Sequence, residues 1–191
     1  MKKIIIICIF FLVTGCYNYQ EINELAMIST IAIDYQEQYE IIVEVKEMNE
    51  QEITTSYLLN SKGQTLKEAF INLENSFDKS LYYPSLDILL VTPTAFETQL
   101  KPVLNYLINN LNWSVNFSIM SSDTPELTIQ KIKEENKVCG LYLKNILDKK
   151  QEINIPFSTF LDDLLTNNYT TIPKIIMNEP LDFRNYGVSN E

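Results

Sequence analysis

Residues Leu25 to Asp34 read Leu-Ala-Met-Ile-Ser-Thr-Ile-Ala-Ile-Asp, a run that is apolar on both faces when extended. Successive side chains of a strand point to opposite sides, so such a run has no face to give to water. It predicts a buried strand, and the rest of the chain must supply its cover. Tyr39 to Lys46 alternates instead, with Tyr39, Ile41, Val43 and Val45 on one face and Glu40, Glu44 and Lys46 on the other. The polar connection Tyr35-Gln36-Glu37-Gln38 joins the two runs and predicts a hairpin. Ile53 to Leu59, rich in β-branched and aromatic residues, predicts a third strand.

Helical signals begin after Ser61-Lys62-Gly63. Thr65 with Glu68 makes a capping box, and Leu66, Ala69, Phe70, Leu73 and Phe77 then form one apolar stripe. Leu86 to Val91 predicts a short buried strand. Thr92-Pro93-Thr94 opens a helical stretch in which Pro102 suits an early position of a second helix. Val115 to Met120 predicts another strand, and Thr124-Pro125-Glu126 another helix start, with Thr124 as the N-cap candidate. Amphipathic segments follow at Leu141 to Leu147 and Phe157 to Leu165, and Thr171-Ile172-Pro173 leads to the apolar Ile175-Ile176-Met177. Strands, then alternating helices and strands, predict a single α+β domain over residues 25–185, a mixed β-sheet packed by several helices.

The first residues have a separate purpose. Met1-Lys2-Lys3 is a positive n-region, and Ile4 to Leu12 is an apolar run well short of the roughly 20 residues a membrane-spanning helix needs. Val13-Thr14-Gly15-Cys16 has the lipobox pattern: an aliphatic residue and two small ones directly before a cysteine. Residues 1–15 are therefore expected to be a lipoprotein signal peptide, cut between Gly15 and Cys16. Cys16 would carry a diacylglycerol that attaches the chain to the membrane, and residues 16–24 would form a tether. Cys8 lies in the removed segment, so Cys139 is the one thiol left over and no internal disulfide is available. Val138-Cys139-Gly140-Leu141 is an apolar setting, which suits a small buried hydrophobe.

Removing Lys2 and Lys3 from the fifteen basic residues leaves thirteen against twenty-five acidic ones, a formal charge of −12. That balance disfavours nucleic acid and gives no polybasic route to anionic lipid. Histidine is absent, which removes His-based triads and His metal sites. There is no glycine-rich phosphate loop and no paired-cysteine metal motif, so no metal site or cofactor is expected, while carboxylate catalysis stays open in so acidic a chain. Asp162-Asp163 suits the solvated edge of a helix, and Glu134-Glu135 beside nearby lysines a mixed-charge surface. Tyr82 and Tyr83 precede Pro84 in a turn before a buried strand. They could form an aromatic ledge for a partner, and the stronger reading caps the core with their rings.

Gly15-Cys16-Tyr17-Asn18-Tyr19-Gln20-Glu21-Ile22-Asn23-Glu24-Leu25-Ala26 resembles the start of the Ger(x)C spore-germination lipoproteins, the C subunits of nutrient germinant receptors. Ala32-Ile33-Asp34 is similar to the family's Gly-Ile-Asp, and Lys79 to Val91 to its later Lys-Leu-Tyr-Phe block. Order and spacing agree over about residues 15 to 130. Tyr17 stands where the family usually has tryptophan, and Ala32 where it has glycine. The resemblance implies the family's N-terminal domain, without the C-terminal portion of full-length members. It also implies a non-enzymatic role beside A- and B-type integral-membrane subunits on the outer face of the spore's inner membrane. Cys16 would be the functional residue, with Glu21, Ile22, Asn23, Tyr82 and Tyr83 as candidate partner contacts. The alternative is a solute-binding or cell-surface lipoprotein of unrelated role.

Overall fold

The three N-terminal strands are neighbours in space as in sequence. In the computed structural model, which describes residues 25–49, 52–110, 116–178 and 180–190, β1 (Leu25–Tyr35), β2 (Tyr39–Asn49) and β3 (Glu52–Gly63) pair antiparallel in chain order. β1 then takes two parallel partners along its other side. β4 (Ser80–Tyr82) pairs with Leu25 to Met27, and β5 (Ile88–Val91) pairs with Thr30 to Ile33. β6 (Ser118–Ser122) and β7 (Tyr169–Ile176) extend the sheet in parallel, and β8 (Asp182–Ser189) ends it antiparallel. The order is β3-β2-β1-β5-β6-β7-β8, with β4 beside β1.

Among the described residues five helices cover this sheet: α1 (Leu66–Asn75), α2 (Pro93–Asn110), α3 (Pro125–Glu134), α4 (Cys139–Lys149) and α5 (Phe157–Asn167). Phe70, Leu73, Phe96, Val103 and Phe160 from α1, α2 and α5 cluster with Ile28, Ile31, Ile33, Val43 and Leu89 on one face. Ile129 and Ile132 of α3 with Leu143 and Leu147 of α4 cluster with Ala32, Ile42, Ile88 and Leu90 on the other. β1 is thus buried on both faces, as its unbroken apolar run requires. The molecule is a single α+β domain around a mixed sheet, the class the element order predicts.

Local chemistry sets several boundaries. Thr65 Oγ1 accepts the Glu68 N–H at 3.1 Å, and Glu68 Oε2 accepts the Gln64 N–H at 2.8 Å, so the capping box closes one residue early on its return side. α2 is two helical pieces joined at Gln99 (φ −130°, ψ 18°), which places Pro102 in the first turn of the second piece, where its missing N–H costs least. Thr124 stands at the α3 N-cap but its side chain caps nothing; Ser122 Oγ accepts the Thr124 N–H at 3.3 Å instead.

The C-terminal hairpin departs from the sequence reading. β7 and β8 pair from Tyr169–Ser189 to Ile176–Asp182, so the expected domain end at 185 falls inside a strand. Pro173 stands where β7 has β8 on one side and has not yet begun to pair with β6, which it meets at Lys174 and Ile175.

α4 approaches β1 closely. A Cβ added to Gly140 would stand 2.4 Å from both the carbonyl oxygen and the hydroxyl of Ser29. The carbonyl belongs to a central strand and cannot swing aside. Gly140→Ala is therefore expected to destabilise the fold by about 1–3 kcal/mol, the usual cost of overpacking. Urea denaturation would show it as a lower midpoint at constant slope; an unchanged midpoint would mean that α4 does not seat this closely.

Candidate functional site

The pairing of β1 with β2 slips between Ile28 and Thr30, leaving Ser29 as the extra residue of a bulge. Two consecutive hydroxyls thereby serve the face under α4. Ser29 Oγ donates to Asp87 Oδ2 at 3.2 Å, and Thr30 Oγ1 donates to Glu44 Oε2 at 2.8 Å.

Glu44 is the centre of the arrangement and is fully buried. Its Oε1 accepts the Ser56 hydroxyl and the Cys139 N–H, each at 2.8 Å; its Oε2 accepts the Gly140 N–H at 3.1 Å besides Thr30. The α4 N-cap position is Val138, which has no side chain able to cap. Glu44 therefore caps α4 from a strand 95 residues earlier, placing a negative charge at the positive end of the helix.

A second set lies alongside. Lys46 Nζ is 2.6 Å from Asp87 Oδ2, with side-chain exposures of only 6% and 8%, and it also donates to the Ser85 carbonyl at 2.9 Å. Lys144 reaches down from α4 to Asp87 Oδ1 at 3.3 Å. The seam balances two carboxylates against two ammonium groups, so no buried charge is left unanswered.

Cys139 is buried within this seam. Burial pushes its thiol well above the ordinary range, and the Glu44 charge pushes the same way, against a smaller opposing effect of the Thr30 hydroxyl. The thiol is held protonated and is no nucleophile at neutral pH. The seam has the chemistry of a lock, fastening α4 to the sheet. Glu44, Lys46 and Asp87 escaped the sequence reading as a group, because β2 alternation marks Glu44 and Lys46 only as polar. Asp87 inside the apolar run Leu86 to Val91 was a usable signal, since an acid in a buried strand needs a partner.

Two surface hollows lie elsewhere. One of about 300 Å³ is lined by Lys131, Glu135, Tyr142, Met177 and Leu181; a shallower one of about 530 Å³ lies between the start of α1 and the second piece of α2, with Gln99, Asn105 and Tyr106. Among the described residues no group of three His, Cys, Asp or Glu is placed to hold a metal ion.

The two tyrosines named from sequence separate. Tyr82 on β4 is 38% exposed. Tyr83 is half-buried: its ring meets Phe70 edge-on at 6.0 Å and its hydroxyl donates to Glu74 at 2.8 Å. Burial, and then Glu74, push its phenol up. Tyr82 is paired in register with Met27, beside the start of β1, which is where the chain from Cys16 joins the sheet. Gly15, Cys16, Glu21, Ile22 and Asn23 lie outside the described residues.

Residues 18–177 match the family described as the spore germination protein N-terminal domain. The chain belongs to that family. No curated protein and no solved structure matches it. The germination-domain match takes in β1 to β7 and every member of the buried seam, from Ser29 to Lys144, while β8 lies beyond it.

Two outcomes follow for the seam. Glu44→Gln replaces one acceptor oxygen by an NH₂ facing N–H and O–H donors, and is expected to cost about 3 kcal/mol in chemical denaturation; a loss below about 1 kcal/mol would show that the carboxylate is not the α4 cap. With Cys8 and Cys16 replaced by serine, Cys139 is expected to ignore a thiol-reactive disulfide reagent in native buffer and to react fully in denaturant. Rapid reaction of the native chain would show the seam to be open.

Proposed function

We propose that this chain is a lipid-anchored, non-enzymatic subunit of a nutrient germinant receptor on the outer face of the spore's inner membrane. It works by assembling with A- and B-type integral-membrane subunits. The observation that carries this reading is the germination-family match over residues 18–177, directly preceded by the lipobox Val13 to Cys16.

Geometry adds a physical basis. Eight residues lie between Cys16 and Leu25, and whatever path they take the nine Cα-to-Cα steps span at most about 30 Å. The acyl chains therefore hold the start of β1 within one domain diameter of the bilayer, and with it β4, Tyr82 and the ends of β2 and β3 that meet it. None of the described helices is long and apolar enough to cross a membrane; on this reading the acyl chains on Cys16 provide the attachment. Confinement to the surface raises the effective concentration of the domain beside its partners, which permits assembly through weak contacts. A formal charge of −10 over the whole chain offers anionic lipid nothing to hold, which leaves the exposed end of the sheet to protein contacts.

Deleting the gene in a host without a redundant receptor is expected to abolish germination of purified spores in nutrient. The wild-type gene should restore it, and Cys16→Ser should not, leaving an unprocessed and mislocalised precursor. A normal nutrient response in the deletion strain would remove the receptor reading and favour a cell-surface lipoprotein of another role.

A further inference from the structure

β3 is the outermost strand on its side of the sheet and is twelve residues long. Its stretch Ile53 to Ser61 contains nine residues with no charge, proline or glycine. Exposed strand edges are templates for further pairing, and folded proteins ordinarily blunt them with charge, proline, bulges or a covering element. The opposite edge is blunted: β8 carries Asp182 and Arg184, and the Tyr169 ring lies against its Gly187, where an added Cβ would meet the ring at 2.9 Å.

The backbone orientation of β3 can be read from one bond. Asn72 Nδ2, on α1, donates to the Lys62 carbonyl at 2.8 Å, so Lys62 turns its peptide groups away from β2. Alternation turns those of Asn60, Leu58 and Ser56 the same way, while Tyr57, Leu59 and Ser61 face their β2 partners Val45, Val43 and Ile41. α1 thus covers the edge at Lys62, and a register slip breaks it at Thr54, between the pairs Glu47–Thr55 and Met48–Ile53. Between these points, among the described residues, no hydrogen bond fills the outward N–H and C=O groups of Ser56, Leu58 and Asn60. Half-buried side chains flank them on both faces: Tyr57, with Phe77 at 5.9 Å, and Leu59 on one, Leu58 on the other.

We propose that the outer edge of β3, from Ser56 to Asn60, is a strand-addition site for an extended segment of a partner protein, apolar at alternate positions and flanked by Lys or Arg. Main-chain bonds would supply affinity and the flanking shelves selectivity, as in other strand-addition complexes. The cationic flanks answer the local charge. Glu47 and Asp78 lie near enough to Tyr57 to add to the upward push that burial gives its phenol, and the chain as a whole is acidic. A second copy of this chain fits less well, because each copy carries a formal charge of −10 and two copies repel one another.

The test is amide exchange by NMR on the full chain in detergent, titrated with a nine-residue peptide of alternating valine and threonine bearing lysine at both ends. The Ser56, Leu58 and Asn60 amides should exchange fast alone and about tenfold slower with saturating peptide, while Tyr57 and Leu59 stay slow throughout. Leu58→Pro removes an outward N–H without touching the β2 ladder, and should weaken peptide binding about tenfold at an unchanged thermal midpoint. If that variant is unstable, Leu58→Lys keeps the N–H and should weaken binding through repulsion of the cationic peptide. No slowing at millimolar peptide, or equal slowing in whichever variant folds, would overturn the proposal. So would protection that rises with protein concentration alone, which would assign the edge to a second copy. The readout needs neither spores nor lipid processing, so its failure leaves the receptor reading standing, and failure of the germination test leaves this one interpretable.

Discussion

A carboxylate removed from water costs several kcal/mol unless its lone pairs are answered, and much of this domain is arranged around answering Glu44. Its four donors come from three elements: Thr30 on β1, Ser56 on β3, and the first two N–H groups of α4. Convergence requires the Ser29 bulge, which turns two successive polar side chains toward one face, and a glycine at position 140, where the helix meets the strand backbone. Desolvation offsets much of what these bonds return. Their larger effect is positional: the bonds from the Cys139 and Gly140 N–H groups seat the start of α4 over Glu44. Asp87 with Lys46 and Lys144 repeats the principle two strands away, tying the middle of the same helix to the start of β5 and to β2.

Much of the fold was legible because it rests on local pattern. Leu25 to Asp34 announced a strand buried on both faces, Thr65 and Glu68 announced a helix start, and Pro102 announced the break that Gln99 makes in α2. What was hidden depends on distance. Alternation in β2 marks Glu44 as polar and therefore outward, but the second face of that strand is covered too, by a helix that begins 95 residues later. No local rule announces a cap supplied from another element. The β7–β8 hairpin was hidden for a different reason: Asp182 to Ser189 has the composition of a polar loop, and Pro173 argues against a strand unless its neighbours on both sides are known. The tyrosine pair was half legible, since two adjacent rings at the end of a short strand must part, one to Phe70 and one to solvent.

The same features bear on what a germination domain of this kind can do. Its most concentrated chemistry is sealed: Glu44 is saturated, Asp87 is doubly paired, and the Cys139 thiol is held protonated by burial. A group with no lone pair to spare and no route to water is a poor base, nucleophile or ligand. Function is left to the exterior, where Tyr82 beside the start of β1 and the open edge of β3 are offered outward. A rigid interior suits that division, because surfaces on strands locked by a buried seam present a fixed geometry to a partner.

An unprotected strand edge would be a hazard in a freely tumbling protein, since any other edge is a possible mate. Two copies of this acidic chain repel one another, which works against the pairing of identical edges. On the lipid-anchored reading, partners fixed in the same membrane also meet at a raised effective concentration, which strengthens a three-residue ladder that is only weak between free molecules. An edge of this kind is therefore most useful to a chain held at a membrane. The eight residues between Cys16 and Leu25 then bear on recognition as β3 does, because lengthening them would lower the effective concentration of the edge beside its partner.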